Sequence, residues 1–83
     1  MNVLIVDDDK LARKGLVAII DWEKYGFEVV GDVQNGRKAL EFLRNHPVDI
    51  VFTDIDMPEI DGLELMQICG EEFPEIKCNS FCI

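Results

Sequence analysis

At 83 residues, with 48% apolar and 30% charged side chains, the chain is long enough for one small globular domain and too apolar to be disordered. Its net charge of −9 is lopsided, because residues 1–48 hold 8 acidic and 7 basic side chains while residues 49–83 hold 9 acidic ones and Lys77 alone. Such a chain repels phosphate backbones and anionic lipid, which argues against nucleic acid and membrane as direct partners and leaves divalent cations as fitting ones.

Val3 to Val6 form a short β-branched apolar run stopped by Asp7, Asp8 and Asp9, the pattern of a strand buried on both faces. No secretory signal starts this way and no apolar run reaches a bilayer span, so a cytoplasmic location is expected. Residues 10–20 change period. Leu11, Ala12, Gly15, Leu16, Ile19 and Ile20 predict one apolar stripe on a helix, with Lys10, Arg13 and Lys14 turned outward and Asp9 as its cap. Tyr25-Gly26 ends that segment, and Trp22, Tyr25 and Phe27 read as packing residues. Phe27–Val33 reads as a second strand. Asn35 caps a second helix that buries Ala39, Leu40 and Leu43, and Pro47 closes it, with His46 an exposed loop residue. Val48–Thr53 is the third strand. A loop with Met57, Pro58 and Glu59 leads to a helix capped by Asp61, with Gly62, Leu65, Met66 and Cys69 on one face, broken at Phe73-Pro74. Ile76–Ile83 is either a fourth, edge strand or a tail, since Asn79 and Ser80 do not suit a buried strand. Cys69, Cys78 and Cys82 support neither a disulfide framework nor a zinc site.

Alternating strands and helices predict right-handed βαβ units and a parallel sheet covered on both faces. If the first and third strands are neighbours and the second lies on the other side, the sheet has the order 2-1-3. The crevice at the switch point then lies between the ends of the first and third strands. Asp7 and Asp8 follow the first strand, and Asp54 and Asp56 follow the third, so three or four carboxylates converge there. Left alone they repel one another and push at least one pKa upward. A hard cation relieves that repulsion, and Mg²⁺ suits a sparse oxygen site.

The stretches "VLIVDDDKLARKGL" and "VDIVFTDIDMPEIDGLEL" together resemble the receiver domain of two-component response regulators. The resemblance implies a truncated flavodoxin-like (CheY-like) three-layer α/β fold over residues 1–83, sheet order 2-1-3 with an uncertain fourth strand. It implies that Asp54 is the phosphoacceptor for a sensor histidine kinase, and that Asp7, Asp8, Asp54 and the backbone carbonyl of Asp56 hold Mg²⁺, with Asp8 the more direct ligand. Met57, Pro58 and Gly62 fit the family's rigid loop, in which Gly permits the turn. "IDWEKYGFEVVGDVQNGRKAL" looks like the receivers attached to AraC-type DNA-binding domains.

The resemblance covers the first three strands and helices and the start of the fourth strand. The family's register places its switching hydroxyl at Cys82, with Ser80 two residues earlier, and its lysine of the fifth strand has no counterpart. Slower, more metal-dependent phosphoryl transfer and impaired switching are therefore expected. A third strand lacking a regular neighbour would expose an apolar edge, which predicts a homo-oligomer, most simply a two-fold dimer. Two other readings stay open. Asp54-Ile55-Asp56 is similar to the nucleophile motif of haloacid-dehalogenase-type phosphatases, though Met57 and the lack of a later lysine beyond Lys77 weigh against an enzyme. An inert homo-oligomeric receiver fragment is the third.

Overall fold

The computed structural model describes residues 1–55, 57 and 60–81, with Ser80 and Phe81 described by backbone alone. Asp56, Pro58, Glu59 and Cys82, and the side chain of Ser80, lie outside the described residues. In chain order the elements are β1 (Asn2–Val6), α1 (Lys10–Ile19), a 3₁₀ turn (Glu23–Tyr25), β2 (Glu28–Val33), α2 (Gly36–Asn45), β3 (Ile50–Asp54), α3 (Gly62–Glu72) and β4 (Lys77–Phe81).

The strands form one parallel sheet in the order β2-β1-β3-β4. β1 is central and carries the alternation that its position demands. Leu4 and Val6 face α2 and α3, packing with Ala39, Leu40, Leu43, Val51 and Leu65. Val3 and Ile5 face the opposite way with Ile50, against Leu16 and Val17 of α1 and the rings of Trp22 and Phe27. Both faces of the sheet are thus covered, as a run of four consecutive apolar residues requires.

Three helix starts follow from short polar side chains that accept otherwise orphaned N–H groups. Asp9 accepts from Leu11 and Ala12, Asn35 from Lys38, and Asp61 from Glu64. Gly26 closes the 3₁₀ turn at φ 78°, in the left-handed region that suits glycine. Trp22 sits between Phe27 and Phe52, with centroids 6.3 and 5.8 Å away. Tyr25 does not join this packing and is exposed.

Two further expectations are corrected. The inward face of α1 is rotated from the predicted stripe: Leu11 and Ile19 are each 84% exposed while Arg13 is 7% exposed. The guanidinium explains this, because its Nε donates to Asp32 at 2.7 Å and its Nη1 to the Asp7 carbonyl at 2.8 Å. A buried arginine with its donors satisfied displaces an apolar residue from the face. The second correction concerns the sheet edge. β3 is not an open edge, since β4 pairs with it from Ile50↔Lys77 to Asp54↔Phe81. β4 itself is the edge strand, docked by Ile76 and Cys78 against the α2/α3 side of the core.

Candidate functional site

β1 and β3 are adjacent and parallel, with Val6 opposite Thr53, so the residues that follow Val6 and Thr53 emerge at one end of the sheet. There Asp7, Asp8 and Asp54 present carboxylate oxygens that all lie within 4.8 Å of one another. Their environments differ. Asp7 is buried, Asp54 half-buried and Asp8 exposed.

Asp7 is held on three sides. Its N–H donates to the Val33 carbonyl at 3.1 Å, which ties it to the end of β2. Its carbonyl accepts from Arg13, and its Oδ1 accepts from the Asp9 N–H at 2.9 Å. Burial pushes its carboxyl pKa up. The Asp9 N–H opposes that shift, and the negative charges of Asp54, Asp8 and Asp9 add to it. The repulsion expected from the sequence is present, with burial the larger cause.

Asp54 ends β3, where the Thr53 hydroxyl, fully buried, donates to the Asp54 carbonyl at 2.9 Å. The loop that follows returns close to it. Gly62 N–H donates to the Ile55 carbonyl at 2.9 Å, and a Cβ on Gly62 would strike the Asp54 carbonyl oxygen. Gly62 therefore serves close approach rather than a left-handed turn, and its φ is not positive. Met57 is buried with α2 and α3 and anchors the loop to the core.

Of the proposed metal set, Asp7, Asp8 and Asp54 come together, and Asp56 lies outside the described residues. The sequence placed Arg13 on the outward face of its helix and Thr53 as a plain strand residue, and so assigned neither a part in the site; both are buried. The one signal for Arg13 was Asp32, a charge among the valines of β2, whose other charge, Glu28, is exposed at the start of the strand. Three hard oxygen donors at this spacing suit a small divalent cation.

A family model described as the response regulator receiver domain matches residues 3–79. The chain belongs to the response regulator receiver domain family. The receiver is 36% identical to an uncharacterized transcriptional regulatory protein, YesN, of Bacillus subtilis, over 92% of this chain and 21% of that one. Among solved structures it is similar to the REC domain of AraT, a response regulator from Geobacillus stearothermophilus. That match has 39% identity and a TM-score of 0.86, covering 95% of this chain and 61% of the other. A two component transcriptional regulator AraC from Clostridium phytofermentans gives 34% identity and a TM-score of 0.88, covering 96% and 62%. The chain therefore spans about a fifth of the length of the curated relative. Receiver domains act in two-component signalling rather than as enzymes, and they bind Mg²⁺ at acidic residues near the phosphorylation site. No helix among the described residues is long and apolar enough to cross a membrane.

Proposed function

We propose that this receiver takes a phosphoryl group from a sensor histidine kinase onto the Asp54 carboxylate, in the cytoplasm, with Mg²⁺ held by Asp7, Asp8 and Asp54 and by the backbone carbonyl of Asp56. The observation that carries the proposal is the convergence of three carboxylates within 4.8 Å at the ends of β1 and β3. Like charges held that closely, one of them buried, fit a hard cation better than they fit each other. When bound, Mg²⁺ supplies positive charge to the non-bridging oxygens of the phosphoryl group.

The chain's own residues do the rest. An Asp54 oxygen attacks phosphorus as the bond to the histidine nitrogen of the donor breaks, and the imidazole leaves with its electron pair. Positioning is the main demand of such a transfer. β3 and its Thr53–Asp54 hydrogen bond fix the acceptor, while Arg13 fixes the backbone of Asp7. The same reading includes self-association of the chain through the edge of the sheet.

Intact-mass analysis after incubation with acetyl phosphate tests the phosphoacceptor role. One phosphoryl adduct is expected with Mg²⁺, absent in Asp54→Asn. Chelation with EDTA, or Asp8→Asn, should slow its formation on the order of a hundredfold. A folded chain that takes no adduct, or an adduct that persists in Asp54→Asn, overturns the proposal.

A further inference from the structure

Asp7 is gripped through its main chain from two sides. Its N–H donates to the Val33 carbonyl of β2 at 3.1 Å, and its carbonyl accepts from Arg13 Nη1 at 2.8 Å. The same guanidinium donates through Nε to Asp32 Oδ1 at 2.7 Å, and the exposed Lys14 reaches that carboxylate through Nζ at 3.0 Å. Arg13 is buried, so one planar group, out of water, joins the end of β1, the start of α1 and β2. A guanidinium suits this place because its fork offers donors on two edges at a fixed separation, whereas an ammonium is a single point.

We propose, on the reading that Asp7, Asp8 and Asp54 hold Mg²⁺, that Arg13 and Asp32 are positioning residues for that ion and set the affinity of the site without being ligands. Arg13 holds the Asp7 peptide, and through it the direction in which the Asp7 carboxylate leaves β1. Asp32 holds the guanidinium in the place from which it can do so. Mg²⁺ demands near-ideal octahedral geometry, so a small rotation of the peptide that carries one of its ligands lowers affinity.

Charge alone predicts the opposite sign. A guanidinium beside a cation site repels Mg²⁺, so removing its charge should tighten binding. Positioning predicts that removing its hydrogen bonds loosens binding, even though a positive charge is lost with them. The plainer explanation is an ion pair that merely fastens α1 to the sheet. Such a pair would change stability and leave the Mg²⁺ affinity of the folded chain as it was.

The test is an NMR titration of the isotope-labelled full chain with MgCl2, in which the backbone amide shifts give the Mg²⁺ Kd and show that each variant is folded. Arg13→Lys keeps the charge and much of the aliphatic stem, but one ammonium does not replace the fork that serves both acceptors; Arg13→Met removes the charge as well. Each is expected to raise the Kd about tenfold, and Asp32→Asn by a similar factor. Combining Arg13→Met with Asp32→Asn should add little, because both break one bridge. Lys14→Met, which removes only the exposed contact to Asp32, should stay within about twofold of the unmodified chain. If Arg13→Met does not fold, Arg13→Lys and Asp32→Asn still decide. An unchanged Kd in Arg13→Lys, tighter binding in Arg13→Met, or fully additive losses in the double variant would each overturn the proposal. An unmodified chain that binds no Mg²⁺, or binds it no better than Asp8→Asn, overturns the metal site itself and this proposal with it, so the two failures are told apart by whether binding depends on Asp8.

Discussion

Gly62 shows how tightly a single position can bind the site to the fold. A Cβ there would strike the Asp54 carbonyl oxygen and lie 2.7 Å from the Ile55 Cα. Both are backbone atoms, so neither can swing aside, and Gly62→Ala must shift the end of β3 or the start of α3. The expected cost is about 1–3 kcal/mol in urea unfolding, with phosphoryl uptake at Asp54 reduced in the acetyl phosphate assay. Gly70→Ala is the control. It adds its methyl to open space in the same helix and should stabilise by about 0.5–1 kcal/mol. Equal effects at the two positions would contradict the close-approach explanation. The carboxylates themselves were legible in the sequence, because strand-terminal acids at the ends of two apolar runs can only meet at one edge of a parallel sheet. The role of Gly62 was not, because nothing local reveals which backbone passes beside it.

Among the helices, α2 and α3 have buried faces that follow from spacing: Ala39, Leu40 and Leu43 are buried as expected, as are Gly62, Leu65 and Cys69, with Met66 half-buried. That of α1 does not, since counting apolar residues gives no weight to an arginine whose donors are satisfied. Its inward face is set by the Arg13–Asp32 pair at 2.7 Å, which Lys14 joins at 3.0 Å. Burial tends to raise the pKa of Asp32, but hydrogen bonds and positive charge from Arg13 and Lys14 outweigh it and hold the carboxyl below its ordinary value of 3.8. A folded-state pKa below the unfolded one contributes stability that is full above the unfolded value and is lost as pH falls through the folded value. Asp32→Asn should therefore cost about 1–3 kcal/mol at neutral pH, since it strips a mostly buried guanidinium of its counter-charge. It should also flatten the acid limb of stability below about pH 4. Urea midpoints of both proteins across that range check this, and parallel acid limbs would show that Asp32 is not the group responsible. The same variant releases α1 from β2 and tests whether the ion pair, rather than apolar contact, sets the rotation of the helix.

At the scale of the whole molecule, the sheet ends in β4, which is paired on one side only among the described residues. Its weak appearance in the sequence has a physical cause: Asn79 is exposed, and the strand is held by its ladder to β3 and by Ile76 and Cys78 on the core side. Lys77 N–H donates inward to the Asp49 carbonyl at 3.0 Å. By the alternation of strand backbones, residues 78 and 80 then direct their N–H groups outward, leaving a row able to pair with another strand. A second β4 related by a two-fold axis would run antiparallel to the first and satisfy that row reciprocally. We therefore predict that the 83-residue chain sediments as a dimer whose population rises with concentration. Ser80→Pro removes an outward donor and leaves the inward ladder to β3 in place, which an edge strand tolerates, so it should shift the equilibrium to monomer without unfolding the domain. Sedimentation velocity on both proteins decides the matter: a monomer at every concentration would rule out self-association, and a dimer indifferent to Ser80→Pro would rule out the β4 edge. Edge pairing would also place two anionic C-terminal halves side by side, so salt should strengthen the dimer by screening their repulsion.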